Sequence, residues 1–126
     1  MMISVVSAGE AREALCGGAE ILDVKNPAEG SLGAQPPTVL RDVKSLLNGG
    51  TKLSAALGDL PNLPGTAALA AFGAAACGAD YIKAGLYGPR TAAESVALLR
   101  EVRRAVAGFA TAVIAAAYAD FERAGT

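Results

Sequence analysis

The sequence has no histidine, no tryptophan and only two cysteines, Cys16 and Cys77. Without histidine, and without a cysteine pair at ligand spacing, the usual donors of a zinc site are missing, so no metal is expected. Each cysteine is followed by glycine where a helix ends. They read as small buried residues of a reducing compartment, not as a disulfide framework, and a cytoplasmic location is expected. An excess of charge is also missing: 11 basic against 12 acidic residues leaves a net charge of −1. No Lys/Arg cluster is present and the few aromatics are not interleaved with basic residues, which argues against a nucleic-acid partner. Apolar runs stop well short of the roughly 20 residues of a membrane span, so no membrane partner is expected. The opening "MMISVVSAGEAREAL" lacks a basic segment followed by an apolar one, so it does not read as a signal peptide.

What is present is an Ala-rich chain, 52% hydrophobic and 126 residues long, enough for a single domain over 1–126. It alternates strand and helix throughout. Strands are expected at 2–8, 20–25, 51–58, 80–86 and 111–119. Helices are expected at 10–18, 36–50, 65–78 (capped by Thr66) and 91–108. One helix between successive strands implies parallel strands with right-handed crossovers. An open doubly wound sheet and part of a (β/α)8 barrel both satisfy that pattern.

The polar residues of the strands favour the barrel. Side chains alternate along a strand, so Ile21, Asp23 and Lys25 share one face of the second strand. Tyr81, Lys83 and Gly85 share a face of the fourth, and Tyr118 and Asp120 of the fifth. A doubly wound sheet meets helices on both faces and tends to be apolar on both. Here one face repeatedly carries ionisable groups toward its C-terminal end, where barrel active sites lie. The expected fold is therefore α/β, with about five parallel strands and four helices forming the N-terminal half of a (β/α)8 barrel. A weak internal repeat relates "ALCGGAEILDVK" to "AACGADYIKAG". Aligning Ala19 with Ala79 sets Lys83 opposite Asp23, one inward layer deeper than Lys25.

Two inward lysines suggest amine chemistry. A lysine adds to a carbonyl only when deprotonated, which burial and a second nearby ammonium both favour. One lysine would form a Schiff base with an aldehyde or ketone, and the other would move protons. Asp23 would hold one ammonium and balance its charge, and Asp120 is a further candidate for a supporting carboxylate. A buried ion pair without chemistry is the alternative. The loops "GSLGA" and "GLYGPRT" offer Gly30, Ser31, Gly33 and Gly88, whose free backbone N–H groups could hold a phosphate. Neither loop matches a P-loop or a dinucleotide fingerprint, and no cofactor is expected.

The segments "DVKNPAEGSLGA", "GDLPNLPGTAALAAFGAAACGADYIKAGLYG" and "AAAYAD" resemble the (5-formylfuran-3-yl)methyl phosphate synthase family of methanofuran biosynthesis, also called 4-(hydroxymethyl)-2-furancarboxaldehyde-phosphate synthase. The resemblance runs over essentially the whole chain. It implies an aldolase-like barrel lyase that condenses two glyceraldehyde 3-phosphate molecules into a phosphorylated furan aldehyde, releasing phosphate and water. It implies Lys25 of "DVKNP" as the Schiff-base lysine and Lys83 of "DYIKAGLYG" as the proton-transferring one. Family chains are about twice as long, as a full barrel requires, and the resemblance puts a further catalytic carboxylate and lysine beyond Thr126. A half-barrel leaves strand edges and an apolar face open. The expectation is therefore a homo-oligomer, or association with a missing second half. The remaining alternatives are a non-catalytic half-barrel that serves as a remnant or assembly partner, and a different Schiff-base aldolase.

Overall fold

The computed structural model describes residues 1–117. Five strands, β1 (Met2–Val5), β2 (Ile21–Val24), β3 (Lys52–Leu60), β4 (Tyr81–Leu86) and β5 (Ala112–Ala116), alternate with four helices, α1 (Ala8–Cys16), α2 (Pro37–Leu46), α3 (Pro64–Ala76) and α4 (Ala92–Ala105). The strands are all parallel and lie in sequence order, β1-β2-β3-β4-β5. This order decides between the two architectures. A doubly wound sheet reverses its strand order to place helices on both faces, whereas an unbroken order with crossovers of one hand puts every helix on the same side.

Burial agrees. Val5, Leu22, Val24, Leu53, Ala55, Ile82 and Ala84 form the helix-side strand face, closed by Ala11 and Ala14 of α1, Leu40 and Val43 of α2, Ala67, Ala71 and Ala74 of α3, and Leu98 and Val102 of α4. Alanine dominates the helix side of this core, which lets α3 in particular lie close to the sheet. The opposite, concave face is only partly covered among the described residues: Met2 is 50% exposed and Ile114 41%. The chain is thus an α/β half-barrel.

Helix ends follow local chemistry. Ser7 caps α1 by accepting from Glu10 N at 3.2 Å, and Glu10 Oε1 accepts in return from Val6 N at 3.1 Å. Thr91 and Glu94 make the same reciprocal pair at α4, with Glu94 N donating to Thr91 Oγ1 and Arg90 N to Glu94 Oε2. The cap expected from Thr66 is not formed. Helix α3 begins earlier, with Leu63 at the cap position and Pro64 in the first turn, where a missing N–H costs nothing and the fixed φ suits the helix. Helix α2 ends at Leu46 and not at residue 50, because Leu47 is already extended and Asn48 Oδ1 accepts from Gly50 N in a turn.

The internal repeat is realised in three dimensions. Gly18 and Gly78 both take positive φ, at 87° and 96°, immediately after α1 and α3. Ala19 N then returns to Ala14 O at 3.1 Å and Ala79 N to Ala74 O at 3.2 Å. The two turns launch β2 and β4 alike. The cysteines before them are not the buried residues expected: Cys16 is exposed and Cys77 only half-buried, both as free thiols. They sit at helix C-terminal ends, where the chain leaves the packed side of the helix.

Candidate active site

The concave face of β2 carries one fully buried carboxylate. Asp23 is 2% exposed and pairs in register with Ser4 on β1 and Ser54 on β3. Ser54 Oγ donates to Asp23 Oδ1 at 2.9 Å and Ser4 Oγ to Oδ2 at 3.4 Å. Lys83 Nζ donates to Oδ2 at 3.0 Å, an ion pair whose side chains are 16% and 3% exposed. Asp23 is therefore bonded from three strands at once. A buried carboxylate is tolerated only with such company, because desolvation is repaid by an opposite charge together with hydrogen bonds to the remaining lone pairs. The equivalent positions of the internal repeat, Asp23 and Lys83, thus meet as partners.

Lys25 follows β2 directly and is half-buried. Its N–H donates to Val5 O at 3.1 Å, continuing the ladder, and its carbonyl accepts from Gln35 Nε2 at 3.1 Å. Alternation places it on the face of Asp23. It lies one residue past the Val24–Ala55 pair, and the next pair in the sheet is Ala56–Lys83. Ala56 therefore separates the two lysine positions, which puts their backbones two strand spacings, about 10 Å, apart. By ladder position Lys83 is level with Lys25, but its side chain runs back so that its ammonium sits at the level of Asp23. Among the described residues the Lys25 ammonium has no ion-pair partner.

Three of the four backbone donors expected to be free for phosphate, those of Gly30, Gly33 and Gly88, are engaged. Gly30 N donates to Pro27 O, Gly33 N to Gly30 O at 3.1 Å, and Gly88 N to Leu60 O at 2.8 Å. Ser31 Oγ donates to the Asp59 carboxylate at 3.4 Å. These glycines serve close packing: a Cβ on Gly33 would run into Asn26 O, and one on Gly88 into the backbone of Pro61 and Asn62. A loop that must fold this tightly spends its own N–H groups on itself. Tyr118 and Asp120 lie outside the described residues. Among the described residues no cluster of potential metal ligands occurs, and no helix is long and apolar enough to cross a membrane.

Three polar residues at this site escaped sequence reasoning. Ser4 and Ser54 are unremarkable hydroxyls in apolar strands, and only the register sets them beside Asp23. Asp59 lay beyond the expected end of the third strand, yet β3 runs on to Leu60.

The ion pair makes a stability prediction. Lys83→Met would strand the Asp23 carboxylate, buried with only two hydroxyls, and is expected to cost about 3 kcal/mol. Asp23→Ala should cost less, since the freed ammonium can swing into the open concave face. Equal losses for the two variants in urea unfolding would contradict this account.

A one-sided parallel half-barrel, holding a buried lysine–carboxylate pair and a second lysine at the C-terminal end of its strands, is the class of protein that fold and site define. The chain belongs to the 4-HFC-P synthase family, which it matches over residues 1–126. It is 52% identical over 126 residues to the (5-formylfuran-3-yl)methyl phosphate synthase of Archaeoglobus fulgidus, covering 98% of this chain and 54% of that protein. The synthase of the same name from Methanothermobacter thermautotrophicus is likewise 52% identical, over 99% of this chain and 53% of its own length. That of Methanopyrus kandleri is 48% identical over 100% and 54%. The chain spans about half the length of these curated relatives. In fold it is similar to a protein described as a phosphonomutase from Burkholderia cenocepacia J2315, with a TM-score of 0.71 at 18% identity over 92% of this chain and 52% of that one.

Proposed function

We propose that this chain carries the principal lysines of an aldolase-like synthase, a lyase that builds (5-formylfuran-3-yl)methyl phosphate from two glyceraldehyde 3-phosphate molecules in methanofuran-type cofactor biosynthesis. The observation that carries the reading is the Lys83–Asp23 ion pair, two residues before Lys25 on the concave face. In this mechanism the neutral Lys25 amine attacks a triose carbonyl, and the carbinolamine loses water to give the imine. Lys83, once neutral, removes the proton from the adjacent carbon, phosphate leaves the third carbon, and the terminal carbon of the enol so formed attacks the carbonyl of the second triose, which has isomerised from aldehyde to ketone. Asp23 holds Lys83 in place and balances the charge it gains or loses. Ring closure through the free hydroxyl of that second triose and loss of two waters give the furan, and hydrolysis of the imine by a further water frees Lys25.

The test is reduction with borohydride in the presence of glyceraldehyde 3-phosphate. An adduct on Lys25, together with a furan product from the whole barrel, is expected. A simple aldol product would point to a different Schiff-base aldolase, and no adduct on any lysine would leave a non-catalytic half-barrel.

The concave face supports a second element of the proposal. Met2 and Ile114, at opposite margins of the sheet, are exposed and apolar, and within residues 1–117 β1 and β5 each pair on one side only. Further barrel strands, or a second copy, would cover them. Residues 1–126 alone are therefore expected to associate in solution. Light scattering that gave a monomer with sharp cooperative unfolding would sink that expectation.

A further inference from the structure

Strand β3 contains an extra residue close to its end. Ala56 pairs with Lys83 and Asp59 with Gly85, so β3 advances three residues while β4 advances two. Gly58 absorbs the difference at φ +119°, a conformation that suits glycine. The bulge resolves a conflict in "LGDL". Leu57 and Leu60 are three residues apart, yet both are buried in the helix-side core, which a regular strand forbids. Without the extra residue Asp59 would share the helix side with Leu57. With it, Asp59 stands on the face of Lys83 and Gly85.

There Asp59 meets the loop that follows Lys25. Its Oδ1 accepts from Ser31 Oγ at 3.4 Å and from Leu32 N at 3.3 Å. Gly30, at φ +133°, lies so close to the other carboxylate oxygen that a Cβ at this position would collide with it. The loop is closed on itself by Asn26 N donating to Gly33 O at 2.7 Å, and Gln35 at its far end binds the carbonyl of Lys25. A continuous set of contacts therefore runs from β3 through the loop tip to the backbone of Lys25.

We propose that Asp59, turned onto the concave face by the Gly58 bulge, is a positioning residue that latches the 26–35 loop to β3 and so holds Lys25 in place. The consequence for Lys25 rests on the Schiff-base reading above; the latch itself does not. An attacking amine gains from a backbone fixed on both sides. Lys25 is fixed on one side by Val5 O and on the other only while the loop stays closed.

Hydrogen exchange followed by mass spectrometry tests the latch. In Asp59→Ala the amides of residues 26–35 are expected to exchange about tenfold faster, with the amides of β1, β2 and β4 unchanged. Asp59→Asn keeps an acceptor oxygen and should restore much of the protection. Ser31→Ala, on the exposed loop, removes one bond without touching β3 and should give part of the effect even if Asp59→Ala folds poorly. The rate of borohydride-trapped adduct at Lys25 should fall in Asp59→Ala and recover in Asp59→Asn. Unaltered loop exchange in both alanine variants overturns the latch. Faster loop exchange with an unaltered trapping rate overturns the positioning role. A wild-type protein that traps nothing on Lys25 overturns the Schiff-base reading and the positioning role with it, while the exchange data still decide the latch.

Discussion

Lys25→Ala is expected to abolish the borohydride-trapped adduct with glyceraldehyde 3-phosphate completely, and Lys25→Arg is expected to fail as badly. The imine needs a nitrogen lone pair. A guanidinium stays protonated at any pH an enzyme experiences, so restoring the positive charge restores nothing. The position tolerates the change structurally. Lys25 is half-buried, contributes its backbone N–H and carbonyl to the hydrogen bonds, and has no ion-pair partner among the described residues. The variant should therefore unfold at close to the wild-type denaturant concentration while losing all adduct, a combination that separates chemistry from stability. Mapping the reduced adduct to Lys83 by mass spectrometry would reverse the two lysine roles and keep the aldolase class.

Lys83→Ala is expected to lower furan formation by about 10²–10⁴-fold, the usual contribution of a positioned general acid or base, while trapping at Lys25 survives in part. This experiment belongs in a whole barrel of the family, because residues 1–126 span only about half of the relatives' length. The variant also loses the charge that compensates Asp23, so it must be assayed below its own, lower unfolding midpoint. A double variant, Lys83→Ala with Asp23→Asn, removes the uncompensated carboxylate. It should regain stability without regaining turnover. Recovery of turnover in the double variant would show that Lys83 matters only as a counter-ion.

The sequence was most legible where one short-range rule acts alone. The glycines after α1 and α3 end those helices because only they take the positive φ that the turn requires. Alternation along β2 puts Asp23 and Lys25 on one face whatever surrounds them. Where two local rules compete, the reading slipped. Pro64 and Thr66 both suit the start of a helix, and Pro64 prevailed because Leu63 could take the cap position without a side-chain bond. The loop glycines read as ordinary βα-loop residues before they read as phosphate donors, and the close approach of Asn26 to Gly33, and of Pro61 and Asn62 to Gly88, gives each a packing reason that no local pattern shows.

By itself, then, the sequence determined the elements, their parallel pairing and the parity of the two lysines, because these follow from hydrophobic period, turn residues and the geometry of a single strand. The tertiary structure alone decided which polar groups meet. Ser4, Ser54 and Lys83 are 19, 31 and 60 residues from Asp23, and no local rule relates residues at such separations. They converge because sequential strand order curves one face inward and register aligns their rows. A single extra residue at Gly58 reverses the parity of Asp59. That reversal is unreadable from period alone, since it arises from fitting two leucines into one core across a strand that would otherwise separate them.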